Sequence, residues 1–370
     1  MIEYDQQGRA GMQFLGSLQH FSSSQLLAEA QRDFDTEPEA QSLVQAFAES
    51  DRAEQLRPQL SLAKKVARRS PAFRFNRLYQ RYVAEENWVR AIAATERGRE
   101  RFEKIFPPPP ATPEASPRLL LDPALHQPDY SRDVEWHIQP GGGGMEGYDL
   151  LPPVAMGVVH HVFKRGGFAA VAVDEDIGQH RRETVKQFRK SHYRRIYDLG
   201  CGGCGTLAFV HQQFPDAELV GGDLSSGVLI SGHHFSEAQG LNIVFRQEDA
   251  RAVRDGDASY DGVISYAVHH ELPVEVSRQI IEEMFRILEP GGDMVISDPP
   301  PFRAVGPLHA VLLDWETENR VEPYLTEACF ASLAQMMRDA GFVDVEEYSL
   351  NEQHRYPWIT RGRKPTAQGQ

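Results

Sequence analysis

The residues with the clearest chemical potential form one short run, Tyr197-Asp198-Leu199-Gly200-Cys201-Gly202-Gly203-Cys204-Gly205. Gly200, Gly202 and Gly205 spell G-x-G-x-x-G between an apolar run that reads as a strand and a stretch that reads as a helix. Asp223 closes the next apolar run about 20 residues on, as a dinucleotide fingerprint requires. Residues without a Cβ let the backbone approach a bound group closely, so this spacing fits NAD or FAD. Asp198 points elsewhere. A pyrophosphate would sit on the helix N-terminus, and a carboxylate two residues before the first glycine would face it unfavourably. The same carboxylate suits a ligand that carries an ammonium group and a cationic sulfur.

Such a loop must be held by an α/β sheet, and the pattern from Tyr193 onward supplies one. Strands are predicted at Ile196–Leu199, Leu219–Gly222, Ile243–Gln247, Gly262–Ser265 and Met294–Ser297, with helices at Leu207–Gln213, Val228–Gln239 and Val274–Leu288. A last amphipathic helix, Thr326–Ala340, precedes two strand-like runs, Val343–Leu350 and roughly Tyr356–Arg361, whose closeness predicts a hairpin and an antiparallel final strand. Six motifs follow in order: YDLGCGGCG, ELVGGDLSS, FRQEDARAV, YDGVISYAVHHEL, IIEEMFRILEPGGDMVISD and AGFVDVEEY. With them, Tyr193 to about Arg363 resembles a class I S-adenosylmethionine (SAM)-dependent methyltransferase of the ubiquinone/menaquinone-biosynthesis type and its small-molecule relatives.

The resemblance implies a Rossmann-like, seven-stranded sheet with an antiparallel C-terminal strand, SAM as cofactor, and O- or C-methylation of a small organic acceptor, quinone-like or a secondary metabolite. It implies that Gly200 and Gly202 admit the cofactor and that Asp198 holds its amino group. Asp223 would accept the ribose hydroxyls and Asp249 the adenine amino group, with Ala250 as an adjacent backbone donor. Cys201, Leu224, Tyr266 and the aromatic Tyr148 would complete the cofactor site. His269, at the end of the fourth strand, would be the general base, oriented by Glu271. The family's usual third glycine falls here on Cys204.

Other constellations weigh less. Cys201 and Cys204 form C-x-x-C, but Cys329 is the only other cysteine, so no metal site is expected. The pairs His160-His161 and His233-His234 are not by themselves metal clamps, because neighbouring residues on one element point apart, and His233-His234 reads as structural. Asp298-Pro299-Pro300-Pro301-Phe302 is similar to an amino-methylation motif, displaced here to the fifth strand. Trp136, His137 and Trp315 could cap a pocket or simply pack.

The rest of the chain reads as support. Residues 1–105 are expected to be a helical domain, best patterned where Phe75, Leu78, Tyr79, Tyr82, Val83, Val89, Ile92 and Ala93 make one apolar face, with Pro71 separating two helices. Leu43, Val44 and Phe47 repeat the pattern upstream. Residues 106–117 are expected to be a proline-rich linker, residues 118–192, with Gly141 to Gly144, a connecting or lid segment, and residues 193–370 the SAM-binding domain. The 370 residues carry a formal net charge of −14, which argues against nucleic acid as the main partner, although Arg181, Arg182, Lys186, Arg189 and Lys190 form a local basic patch. Three cysteines suit a reducing compartment. With neither a secretory signal nor a spanning apolar run visible, the expectation is a cytoplasmic enzyme, with a homodimer through the helical region. Two other readings stay open: an NAD(P)-dependent oxidoreductase, and a methyltransferase fold with a non-methylating activity.

Overall fold

The computed structural model describes residues 2–50, 52–105, 116–135, 148, 150–151, 154, 162, 167, 176–353 and 355–366. Trp136, His137, the glycine run, His160-His161 and most of the proline-rich stretch lie outside these. Fourteen α-helices occur among the described residues. In chain order the first nine are α1 (Gln6–Phe21), α2 (Leu27–Asp35), α3 (Ala40–Glu49), α4 (Ala53–Ala67), α5 (Pro71–Arg97), α6 (Arg99–Ile105), α7 (Asp129–Arg132), α8 (Ile177–Val185) and α9 (Gly205–Gln213). They are followed by α10 (Ser226–Gln239), α11 (Val274–Ile287), α12 (Pro307–Asn319), α13 (Leu325–Phe330) and α14 (Leu333–Asp339).

The strands are β1 (Leu119–Leu120), β2 (Arg195–Leu199), β3 (Glu218–Asp223), β4 (Ile243–Gln247), β5 (Tyr260–Tyr266), β6 (Leu288–Asp298), β7 (Val343–Ser349) and β8 (Trp358–Arg363). They form one sheet in the order β1-β4-β3-β2-β5-β6-β8-β7, with β8 antiparallel to both neighbours. The seven expected strands are all present. The eighth is the two-residue edge strand β1, which pairs parallel with β4, so the segment before the SAM domain contributes to its sheet. The chain builds outward from β2 through β3 to β4, then returns to β5 on the other side of β2. Reversal of direction at β2 leaves a crevice at the carboxyl ends of the strands, where open α/β sheets bind ligands.

Alternation along each strand fills two cores. Tyr197, Val263 and Met294 face α11, whose Val276, Ile280, Ile281, Met284 and Ile287 are buried. Their neighbours Ile196, Ile264 and Val295 face the opposite way, against Leu207 and Val210 of α9 and Leu229 of α10. Two expectations fail near the C-terminus. The single helix over Thr326–Ala340 is two, because Ala331 is extended and the Ser332 hydroxyl caps a new start at Gln335 N, 3.1 Å away. Helix α12 was not anticipated.

The N-terminal helices begin at Gln6. As anticipated, Pro71 opens α5, with the Ser70 hydroxyl accepting from Phe73 N at 3.1 Å. The expected apolar face of α5 is buried only in part, at Val83 and beside the cores at Tyr79 and Ile92. Phe75, Leu78, Tyr82 and Val89 are exposed, at 52%, 59%, 41% and 62%, while Asn76, Arg77, Gln80 and Asn87 are buried. The Asn76 amide donates to Ser22 O at 2.6 Å, Gln19 donates to Gln80 at 2.9 Å, and the Arg77 guanidinium lies 4.5 Å from the Trp315 ring. The apolar docking surface is carried mainly by α2 to α4, joined by Ala72 and Phe73 of α5. Phe34, Leu43, Phe47, Leu60 and Val66 share one core with Leu308, Val311 and Leu312 of α12 and with Phe302, Tyr266 and Tyr356.

Candidate functional site

The loop after β2 turns on backbone conformations that favour glycine: Gly200 has φ +62° and Gly202 φ +50°. At Gly200 a Cβ would lie 2.6 Å from a Val268 methyl carbon, whereas at Gly202 it would meet open space. That space is a cavity of about 240 Å³ at the carboxyl ends of β2, β3 and β5. Asp223, at the end of β3, ties the loop to the next helix. Its carboxylate accepts from Gly202 N at 3.0 Å and from Ser225 N at 2.9 Å, and the Ser225 hydroxyl caps α10. Cys204 occupies the left-handed region at φ +73° as N-cap of α9, a conformation an L side chain adopts at a cost.

Asp198 lies beneath the loop, 1% exposed, and its Oδ2 has no hydrogen-bond partner. Burial pushes its carboxyl well above the usual range and Asp223 adds to this, while the Arg181 cation opposes it. Arg181 comes from α8, outside the motifs read from the sequence, where it was no more than part of a basic patch. Its guanidinium lies 4.8 Å from the Tyr266 ring and 2.9 Å from where a Cβ on Gly205 would stand. The Arg181 Nε is buried without a hydrogen-bond partner.

Gly200, Gly202, Asp223, Leu224, Ala250 and Glu271 line the cavity. The other anticipated residues are placed differently. Cys201 is buried under the loop against Gly221, and burial raises its thiol pKa far above normal, which leaves it unreactive. Asp249 turns both oxygens to the Arg251 guanidinium, at 2.6–3.1 Å. The Tyr266 hydroxyl bonds to that of Tyr356 at 2.9 Å. The Tyr148 hydroxyl donates to Glu96 of α5 at 2.5 Å and its ring packs beside Trp88 and Leu151, so it belongs to the helical region. His269 is 1% exposed, both ring nitrogens lack partners, and burial lowers its pKa. It lines a separate, smaller cavity with Cys329 and Met336.

The acid of the Asp-Pro-Pro-Pro-Phe run has a structural task. Asp298 accepts from the backbone N–H groups of Val268, His269 and His270 at 3.3, 2.9 and 3.2 Å, and from His270 Nδ1 at 2.6 Å. It thereby fixes the turn that carries Glu271. Burial works to lower the His270 pKa, but the charge and hydrogen bond of Asp298, followed by Glu271 and Glu322, hold it at about 9. One ligand-type atom each of His270, Glu271 and Glu322 lies within 4.8 Å of the others. The protonated imidazole is itself the cation that these carboxylates surround. Gln127, Tyr130 and Ser131 also line the main cavity, and no sequence signal had marked them.

Residues 196–292 match a family model described as a methyltransferase domain. A demethylmenaquinone methyltransferase of Thermus thermophilus is 30% identical over 148 residues, covering 39% of this chain and 64% of that protein. One from Geobacillus sp. is 28% identical, covering 45% of this chain and 78% of that protein. Through residues 196–292 the chain is similar to the class I SAM-dependent methyltransferases. It spans a little under two thirds of the Thermus relative. A solved O-methyltransferase family protein from Burkholderia thailandensis shares 20% identity, with a TM-score of 0.43 over 52% of this chain and 57% of that one, a superposition too loose to carry an argument. The residues of the methyltransferase domain fit its cofactor, SAM: the orphaned, buried Asp198 oxygen awaits a donor, and the loop leaves room where a Cβ would intrude. Among the described residues, no helix is long and apolar enough to cross a membrane.

Proposed function

We propose that this chain methylates a small organic acceptor, at oxygen or carbon, with a quinol-like ring as the first candidate because the relatives named above act on demethylmenaquinone. The observation that carries the reading is the buried Asp198, partnerless at Oδ2, beneath the glycine loop and next to Arg181. An anionic dinucleotide has nothing to offer that carboxylate. An amino acid does: its ammonium would pair with Asp198 and its carboxylate with Arg181, each a charge-assisted contact. Asp223 would accept the ribose hydroxyls while still tied to Gly202 and Ser225. When bound, SAM supplies a methyl group on a cationic sulfur, so the protein's work is alignment, exclusion of water and removal of a proton. Glu271 is the ionisable side chain at the end of β5 that reaches the cavity, and it takes the acceptor's proton. Asp298 and His270 position it, with His270 Nε2 at 3.6 Å from Glu271. His269, cast as base by the resemblance, sits in the other cavity. The exposed face of α5 supports a homodimer through the helical region, which would occupy residues 1–105, with 106–117 as linker and 193–370 as the catalytic unit.

Calorimetric titration of the full chain with SAM and with NAD tests the cofactor. Asp223→Ala removes hydrogen bonds to a charged group, worth about 1.5–3 kcal/mol, so SAM affinity should fall roughly 10- to 150-fold in a folded protein. Unchanged affinity, or preference for NAD, would refute the assignment. Methyl transfer to a demethylated naphthoquinol, compared with a simple phenol, then tests the acceptor class.

A further inference from the structure

One wall of the cavity, beside Leu224 and Ala250, is built by a strap that lies outside the matched methyltransferase domain. After β1 joins the edge of the sheet, the chain crosses the carboxyl ends of the strands and is fastened at three points. Asp122 N donates to Gln247 Oε1 at 3.1 Å, the Asp122 carboxylate pairs with Arg254 at 3.0 Å, and the Tyr324 hydroxyl donates to Tyr130 O at 3.0 Å. The strap brings Gln127 and Tyr130 to the cavity wall beside Ala250 and Leu224, and the Tyr130 ring packs on the same core as Ala250 and Val268.

The acids that could read a purine edge there are already engaged. Asp249 holds Arg251 with both oxygens and does not line the cavity. Glu248 does line it, but Tyr197 OH occupies one oxygen at 3.0 Å and Arg254 N the other at 3.2 Å. The side-chain amide of Gln127, by contrast, is engaged in no hydrogen bond among the described residues. An amide offers one acceptor and a donor pair side by side, the complement of the adenine N6 amino group and N7.

We propose that Gln127 reads the adenine of the cofactor, with the Tyr130 ring as a wall of its pocket, so that the strap rather than the acid after β4 sets base specificity. This rests on the SAM reading given above. Hypoxanthine, with a carbonyl in place of the amino group, presents two acceptors at that edge and cannot satisfy the same amide.

The test is calorimetric binding of S-adenosylhomocysteine and of its deaminated analogue, S-inosylhomocysteine, to the full-length wild type, Gln127→Leu and Gln127→Glu. A neutral hydrogen bond contributes about 0.5–1.5 kcal/mol, so Gln127→Leu should bind S-adenosylhomocysteine roughly 2- to 12-fold more weakly. The wild-type preference for the adenine ligand should shrink by the same order in Gln127→Leu and persist in Gln127→Glu, whose carboxylate still accepts from the adenine amino group and repels the two acceptors of hypoxanthine. Wild type with no preference, Gln127→Leu with the wild-type ratio intact, or Gln127→Glu with the preference lost overturns the assignment while leaving the SAM reading standing. Wild type that binds neither ligand overturns both. Gln127→Glu keeps the side chain's size, so a packing defect in the leucine variant is recognised by its absence there.

Discussion

Helices α11 and α5 show opposite relations between pattern and burial. In α11 the apolar stripe Val276, Ile280, Ile281, Met284 and Ile287 is buried against β5 and β6. In α5 the residues Phe75, Leu78, Tyr82 and Val89 face outward, and the helix buries amides and a guanidinium alongside Phe73, Val83 and Trp88. Periodicity identifies a face; what that face meets depends on its neighbours. The buried polar groups differ as well. At the end of the sheet Asp298 and His270 satisfy one another, whereas Asn87 of α5 is fully buried with neither amide atom partnered.

The largest test of this contrast is Ile281→Asn. It removes a fully buried side chain and inserts an amide with no partner, so stability should drop by about 4–5 kcal/mol, read by chemical denaturation. A loss below 1 kcal/mol would erase the distinction between the two helices. Next comes the His270–Asp298 pair. The folded His270 pKa of about 9 lies above the unfolded value of about 6.5. Its stabilisation is therefore complete below about pH 6.5 and is lost as pH rises through 9, a change on the order of a few kcal/mol. His270→Gln should flatten the stability curve over that window; a slope equal to wild type would mean that the pair is not what titrates.

The α5 counterpart has the opposite sign. Asn87→Leu replaces an unsatisfied buried amide by an apolar group of similar size and should leave stability unchanged or raise it by about 1 kcal/mol. A loss of several kcal/mol would show the amide to be bonded in solution. The smallest effect belongs to the exposed stripe. Leu78→Glu should alter monomer stability by less than about 0.5 kcal/mol, while light scattering should show any homodimer dissociating. A dimer that survives the charge would place its interface elsewhere.

The sheet was legible because each strand from β2 to β6 is a short apolar run bounded by turn residues, and such runs have few alternatives. Helix α12 escaped notice since Pro307 to Asn319 is buried almost all round, including Asp314 and Glu316, and so lacks a polar face to give a period. In the site, Asp198, Asp223 and the two positive-φ glycines could be read because a loop conformation constrains residue type locally. Arg181, Gln127 and Tyr130 could not be, as each arrives from a segment upstream of β2 and means nothing until the chain has folded over the crevice.

By itself, then, the sequence determined the local matters: which runs are strands, where the loop needs glycine, and which carboxylates flank it. Tertiary structure decided which way the α5 stripe faces, that Asp298 fixes a turn, and that His269 points away from the cavity that Glu271 reaches. The physical reason is that conformational preference acts over a few residues, whereas burial and the partner of a charge are properties of what the rest of the chain brings alongside.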